Sequence, residues 1–138
     1  LLADLISHAL QDDPTESCGL LLGKGHEADE VHRMSNVNSK PISRYTMQPV
    51  ELIEAQDKAK KSNREFVAIY HSHTFTQGYP SKTDISNAVA VANISTRQVI
   101  VSLVEKTRPV VRAFAINGKS VVTELIIETD GDTYRASD

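Results

Sequence analysis

Cysteine occurs once in the 138 residues, at Cys18. A lone thiol cannot close an internal disulfide, and the default setting for such a chain is reducing, hence cytoplasmic. Basic residues are not in excess: 15 Lys and Arg stand against 18 Asp and Glu, giving a formal charge of −3 and a pI near 5.9. That balance carries no electrostatic footprint for nucleic acid or for an anionic membrane surface. No apolar run reaches bilayer length, and no signal-peptide pattern opens the chain. The first residue is Leu1 rather than Met, which leaves room for a trimmed upstream segment. Nor is the composition that of a disordered chain, since 40% apolar and 24% charged residues match ordinary globular usage. With no repeat, low-complexity block or linker, the expectation is one domain over 1–138, with a tail that frays from about residue 129.

What is there reads as helices interspersed with strands, followed by a run of strands. Residues 1–11 (LLADLISHALQ) place Leu1, Leu2, Leu5, Ile6, Ala9 and Leu10 on one helical stripe, which Asp12, Asp13 and Pro14 end. The apolar run 17–25 is closed by glycines and reads as a buried strand, followed by a polar turn and a second strand over 31–38. Residues 44–48 read as a further short strand. The segment 49–61 (PVELIEAQDKAKK) has Pro first, acids early and lysines late, which suits a helix and its dipole. A central strand is expected over 66–73, a helix over 81–94, and three strands over 98–105, 110–116 and 121–128, with Asn117-Gly118 as the last hairpin turn. The order predicts one α/β domain with a mixed sheet between helices.

The informative segment is His71-Ser72-His73, followed by Ser81 and Asp84. Residues two apart on a strand project to one face, so both imidazoles can reach one ion. Asp84, near the start of the next helix, is the candidate third ligand. Two neutral nitrogens and a carboxylate oxygen suit Zn²⁺, and three protein ligands leave a fourth position for water. Zinc lowers the pKa of such a water to about 7, so hydroxide is available near neutral pH. The chemistry also needs a base, and Glu16, just before the apolar strand, is the candidate. Ser81 offers a hydroxyl for the oxyanion of a tetrahedral intermediate.

Glu16, His71-x-His73, seven residues, Ser81, two residues, Asp84 resembles the JAMM (MPN-plus) metallopeptidase motif with no deviation in spacing. At about one position in twenty per residue type, Ser and Asp would both follow a chance His-x-His roughly once in four hundred, which weighs against coincidence. The Glu16-Ser17-Cys18-Gly19-Leu20-Leu21 entry also looks like that family, and the similarity covers nearly the whole chain in element order. Tyr70 to Thr74, Tyr79-Pro80-Ser81 with Thr83-Asp84, and the stretch 36–49 with Pro41, Tyr45 and Pro49 are most similar to compact bacterial members of the Mec type. Many eukaryotic deubiquitinating members have Pro where this chain has Thr74, and carry long insertions for which 138 residues leave little room.

The resemblance implies a JAMM (cytidine-deaminase-like) α/β domain with a curved mixed sheet flanked by helices. It implies one Zn²⁺ per chain on His71, His73 and Asp84, with Glu16 shuttling the proton and Ser81 helping at the oxyanion. The implied partner is a small ubiquitin-like or sulfur-carrier protein with a Gly-Gly tail. That tail would lie extended against a sheet edge and be cut from an attached cysteine, peptide or lysine.

Blander readings compete residue by residue. Ser81-x-x-Asp84 before an apolar helix is also a capping box, and Ser81 can serve in both roles. Glu16 alone reads as a solvated acid after a turn. His8, His26 and His32 lack partner spacing and read as surface or core-edge residues. Tyr45 and Tyr79 read as groove-lining or as packing. Two other functions stand beside the peptidase: a non-catalytic MPN-type scaffold, disfavoured by the intact motif, and a hydrolase using Cys18, disfavoured because a strand cysteine usually packs as a small hydrophobe.

Overall fold

The computed structural model describes residues 1–134. They form α1 (Leu2–Asp12), β1 (Cys18–Lys24), β2 (Glu27–Met34), α2 (Pro49–Lys61), β3 (Glu65–His73), α3 (Lys82–Ala90), β4 (Arg97–Ser102), β5 (Val110–Ile116), β6 (Val122–Leu125), β7 (Glu128–Thr129) and β8 (Asp132–Thr133). Every residue of β3 from Val67 to His73 is buried, which demands cover on both faces. The expected mixed α/β sheet supplies it. Six strands run in the order β2-β1-β3-β4-β5-β6, and β3 with β4 is the parallel pair, joined through α3. The remaining neighbours in that sheet are antiparallel.

Side-chain alternation sorts the core into two sides of the sheet. Leu5 and Ala9 of α1 pack on Leu21, Ala68, Tyr70, Val99 and Val101. On the other side, Ala55 and Ala59 of α2 pack on Cys18, Leu20, Leu22 and Ile69, while Ala88 of α3 meets Ile100, Phe114 and Ile116. Helices therefore flank both faces, as expected. By parity His71 and His73 share the face of Ile69, under α2 and α3. Tyr70 points the opposite way, and its hydroxyl lies 2.7 Å from His8 Nδ1, while His8 Nε2 is 3.1 Å from Asp12. His8 is thus buried, tying α1 to β3, where the sequence left it at the surface or the core edge. Gly19 is required here, because a Cβ at that position would sit 2.5 Å from the Tyr70 ring and from the His32 carbonyl.

Several boundaries differ from the sequence reading: β2 ends at Met34 rather than residue 38, β4 at Ser102 rather than 105, and β6 at Leu125 rather than 128. Residues 44–48 form no strand, only an isolated bridge between Met47 and Asn36, because side-chain bonds from Asn36 organise this loop instead. The β2 strand starts earlier, at Glu27, in a tight hairpin whose turn residue Gly25 has φ +59°. The third helix stops at Ala90 rather than running to residue 94, and tight turns through Val91 and Ile94 fold those side chains onto the α2-side core. Of the tail expected to fray, β7 and β8 pair as a small ribbon, and the Tyr134 hydroxyl accepts from Val111 N–H at 3.3 Å. Residues 135–138 lie outside the described residues.

Candidate active site

The site forms where the end of β3 meets the start of α3. His71 and His73 are buried, and their Nε2 atoms lie 3.1 Å apart. Asp84 Oδ2 is 3.2 Å from His71 Nε2 and 2.9 Å from His73 Nε2. Two histidines two apart on β3 and an aspartate eleven residues beyond the second thus bring three ligand atoms into one small triangle. The start of α3 is fixed by a capping box: Ser81 Oγ accepts from Asp84 N–H at 3.0 Å, and Asp84 Oδ2 accepts from Ser81 N–H at 2.9 Å. The capping and ligand readings of Ser81-x-x-Asp84 therefore describe one arrangement.

Whether this triangle suits a metal follows from its lone pairs. His73 Nδ1 lies 2.8 Å from the Gln77 carbonyl, which can only accept, so Nδ1 carries the proton. In the neutral ring Nε2 is then an acceptor, and it faces a carboxylate oxygen that is also an acceptor. Two acceptors at that distance need a cation between them, either a proton or a metal ion. Ligands about 2.0–2.2 Å from a tetrahedral Zn²⁺ stand about 3.3–3.5 Å from one another, close to the separations found here. The donor set fits a divalent metal.

The electrostatics agree. Burial pushes the Asp84 carboxyl upward, yet the two imidazoles beside it, His71 and His73, outweigh that effect and hold the group well below the usual carboxylate range. Burial also opposes charge on both imidazoles. It prevails at His71, which is lowered, whereas the bonds of His73 to Asp84 and to the Gln77 carbonyl raise that ring.

Glu16 is the neighbour that completes the set. The β1–β3 register pairs Cys18 with His71, so two residues further out Glu16 stands beside His73. Ser17 N–H donates to Ser72 Oγ at 2.8 Å, and Ser72 N–H returns a bond to the Ser17 carbonyl at 3.0 Å. The backbone of Glu16 is held by Pro41 and Asn36, but its Oε1 is buried without a hydrogen-bond partner among the described residues. Burial raises its pKa to about 8, with His73 opposing and Asp84 adding to the rise. It is 5% exposed, which rules out the solvated-acid reading.

Two nearby residues sharpen the picture. The Tyr45 ring packs on the α2-side core and stacks on His71, with centroids 4.5 Å apart and planes 23° apart, so its packing places it beside the site. Gln77 contributes through its carbonyl, for which a sequence has no signal. Tyr79 packs edge-on against Phe114 beneath Arg112 while remaining half exposed. Cys18 is fully buried, its thiol donates to the Met34 carbonyl at 3.9 Å, and burial pushes it up to about 12. A nucleophilic cysteine needs a thiolate, so this one is unsuited to the role.

Residues 1–117 match the family described as prokaryotic homologs of the JAB domain. The chain is 32% identical over 122 residues to the CysO-cysteine peptidase of Mycobacterium tuberculosis, covering 87% of this chain and 81% of that protein. It is 33% identical over 88 residues to a probable TtuB-protein conjugate cleaving protease of Thermus thermophilus, covering 64% of this chain and 59% of that protein. Among solved structures, a Desulfitobacterium hafniense protein superposes with a TM-score of 0.74 at 26% identity, over 90% of this chain and 84% of that one. A JAB1/MPN domain protein from Archaeoglobus fulgidus shares the fold, with a TM-score of 0.55 at 21% identity over 91% of each chain.

Proposed function

The chain belongs to the prokaryotic JAB family, and from that membership we propose that it is a zinc-dependent peptidase acting after the C-terminal Gly-Gly of a small ubiquitin-like or sulfur-carrier protein. The observation that carries the reading is the convergence of His71, His73 and Asp84 beside the buried, unpartnered carboxylate of Glu16. The relatives support the substrate class, since their names specify a CysO-cysteine bond and TtuB-protein conjugates. One domain spans residues 1–138, holds one zinc ion and works in the cytoplasm. No helix among the described residues is long and apolar enough to cross a membrane.

His71, His73 and Asp84 would hold the ion, which when bound would supply Lewis acidity that brings a water's pKa to about 7. Glu16 would take a proton at Oε1, which has no hydrogen-bond partner among the described residues, and pass it to the leaving amine. Its position suits this role, because a carboxyl with a pKa near 8 binds and releases protons close to neutrality. A bound cation beside it would favour the carboxylate form and lower that value. The Ser81 oxygen accepts from Asp84 N–H, which leaves its own proton free to donate to the carbonyl oxygen of the scissile bond. Ser81 itself is exposed and stands at the mouth of the site, while both histidines are buried behind it.

The test is intact-mass analysis of small carriers ending in Gly-Gly and extended by cysteine or a dipeptide, beside lysine-linked ubiquitin dimers and a free peptide. The expected result is trimming of a carrier back to Gly-Gly, with no reaction in Glu16→Gln or in chelator-treated enzyme. Cleavage of dimers with no trimmed carrier would overturn the substrate assignment. Full activity in chelator would overturn the zinc mechanism.

A further inference from the structure

His71 is 1% exposed, and its Nε2 faces His73 and Asp84. Its other ring nitrogen, Nδ1, is buried with no hydrogen-bond partner among the described residues. A ligating histidine ordinarily donates that second N–H to a carboxylate, a carbonyl or water, and the outer bond fixes the orientation of the ring. His73 follows this rule through Gln77. His71 has the stacked ring of Tyr45 instead.

Tyr45 is itself firmly placed. The loop that carries it, 36–47, is tied at both ends by Asn36. Asn36 Nδ2 donates to the carbonyls of Arg44 at 2.9 Å and Glu16 at 3.0 Å, and its Oδ1 accepts from the N–H of Thr46 at 3.0 Å and of Asn38 at 3.0 Å. Val37 N–H donates to the Thr46 carbonyl at 2.9 Å, and Tyr45 and Met47 pack against the core under α2. One side chain therefore holds both the loop bearing Tyr45 and the backbone of Glu16.

Resting on the zinc reading above, we propose that Tyr45 is a positioning residue, whose ring, anchored through Asn36, fixes the plane of His71 in place of the missing hydrogen bond. A stacked ring blocks rotation of the imidazole out of its plane. It leaves open the half-turn that would exchange Nε2 for Cε1, and the Asp84 carboxylate selects the nitrogen side. An imidazole that gives its lone pair to a cation gains positive character, which the face of a phenol ring attracts. The ring does this work rather than the hydroxyl, so Phe replaces Tyr and an aliphatic residue does not.

The experiment compares wild type, Tyr45→Phe and Tyr45→Leu by two readouts independent of turnover. One is zinc affinity, by competition with a chromophoric chelator. The other is the His71 ring in metal-free protein, by two-bond ¹H–¹⁵N correlation. Tyr45→Phe should bind zinc within about twofold of wild type, and Tyr45→Leu about tenfold more weakly, the low end for loss of an outer-shell partner. In Tyr45→Leu the ring signals of His71 should broaden or double. Wild-type affinity with one sharp set of His71 signals in Tyr45→Leu would overturn the proposal, as would equal losses in Phe and Leu. Should Tyr45→Leu not fold, the wild type decides: missing contacts between the Tyr45 and His71 ring protons would overturn it. Negligible zinc binding by wild type, with His71 order lost in Tyr45→Leu, would count against the zinc reading and for the positioning role.

Discussion

Asp84 Oδ2 accepts the Ser81 backbone N–H at 2.9 Å, and the same oxygen points at both histidines. The first turn of α3 and the proposed metal-ligand set are therefore one construction. A helix begins where the proposed ligand stands, so folding the helix delivers the carboxylate to the end of β3.

Asp84→Asn should separate the two roles. The amide oxygen can still accept from Ser81 N–H, but it carries no charge toward the cation. Asp84→Ala removes both functions. Metal analysis should show about one zinc per chain in wild type and little in either variant. In the metal-free state Asp84→Ala should be less stable than Asp84→Asn by about 1 kcal/mol, the worth of one hydrogen bond. Equal zinc in wild type and both variants would remove Asp84 from the ligand set.

Ser81→Ala should lower turnover by about 10²–10³ while leaving zinc in place, if the hydroxyl is one oxyanion donor. The loss of the N-cap should also cost about 1 kcal/mol, measurable as a lower unfolding temperature. Ser81→Thr keeps a hydroxyl at the cap and should restore most of both. A fall in stability alone, with near-normal kcat, would confine Ser81 to capping.

The sequence showed much of this site because its chemistry is written in residue types at fixed separations. His71 and His73 lie two apart on a strand, and Ser81 and Asp84 open the next helix, so local periodicity alone puts them in place. Glu16 was legible only through its place before β1, since its proximity to His73 depends on a strand pairing 55 residues long in sequence, such as that of Ser17 with Ser72. The loop 36–47 was misread in part. Alternating apolar residues at Tyr45 and Met47 suggest a strand, but their side chains face the core because Asn36 pins the backbone, leaving Met47 in a single bridge. The bond of His73 to a backbone carbonyl has no residue type to announce it.

Cys18→Ala should retain turnover and zinc, because the thiol is buried and bonds only weakly, to the Met34 carbonyl at 3.9 Å. Iodoacetamide at pH 8 should label the denatured chain readily and the folded one hardly at all, given a thiol held near 12 by burial. Intact mass after timed alkylation is the measurement. Rapid labelling of the folded protein with parallel loss of activity would revive a role for this thiol.

The pH dependence of the metal-free protein should report Glu16. Burial raises its pKa from 4.5 to about 8 in the folded state, so the folded protein binds this proton more tightly than the unfolded chain does. The stability linked to that proton is complete below pH 4.5 and is lost as pH rises through about 8. Glu16→Gln has no proton to lose and should not show that fall. His73 also changes over this range, and Glu16 is one cause of its raised pKa. The difference between variant and wild type therefore reports Glu16 together with its coupling to His73. It should grow in favour of Glu16→Gln from pH 5 to pH 9, by an amount on the order of a few kcal/mol at most. Zinc should shrink the difference, because a cation beside the carboxylate favours its charged form. Denaturant unfolding of both proteins in chelator, at several pH values, measures it directly. Parallel stability curves across that range would mean that Glu16 is not the buried, unpartnered carboxyl that the base assignment requires.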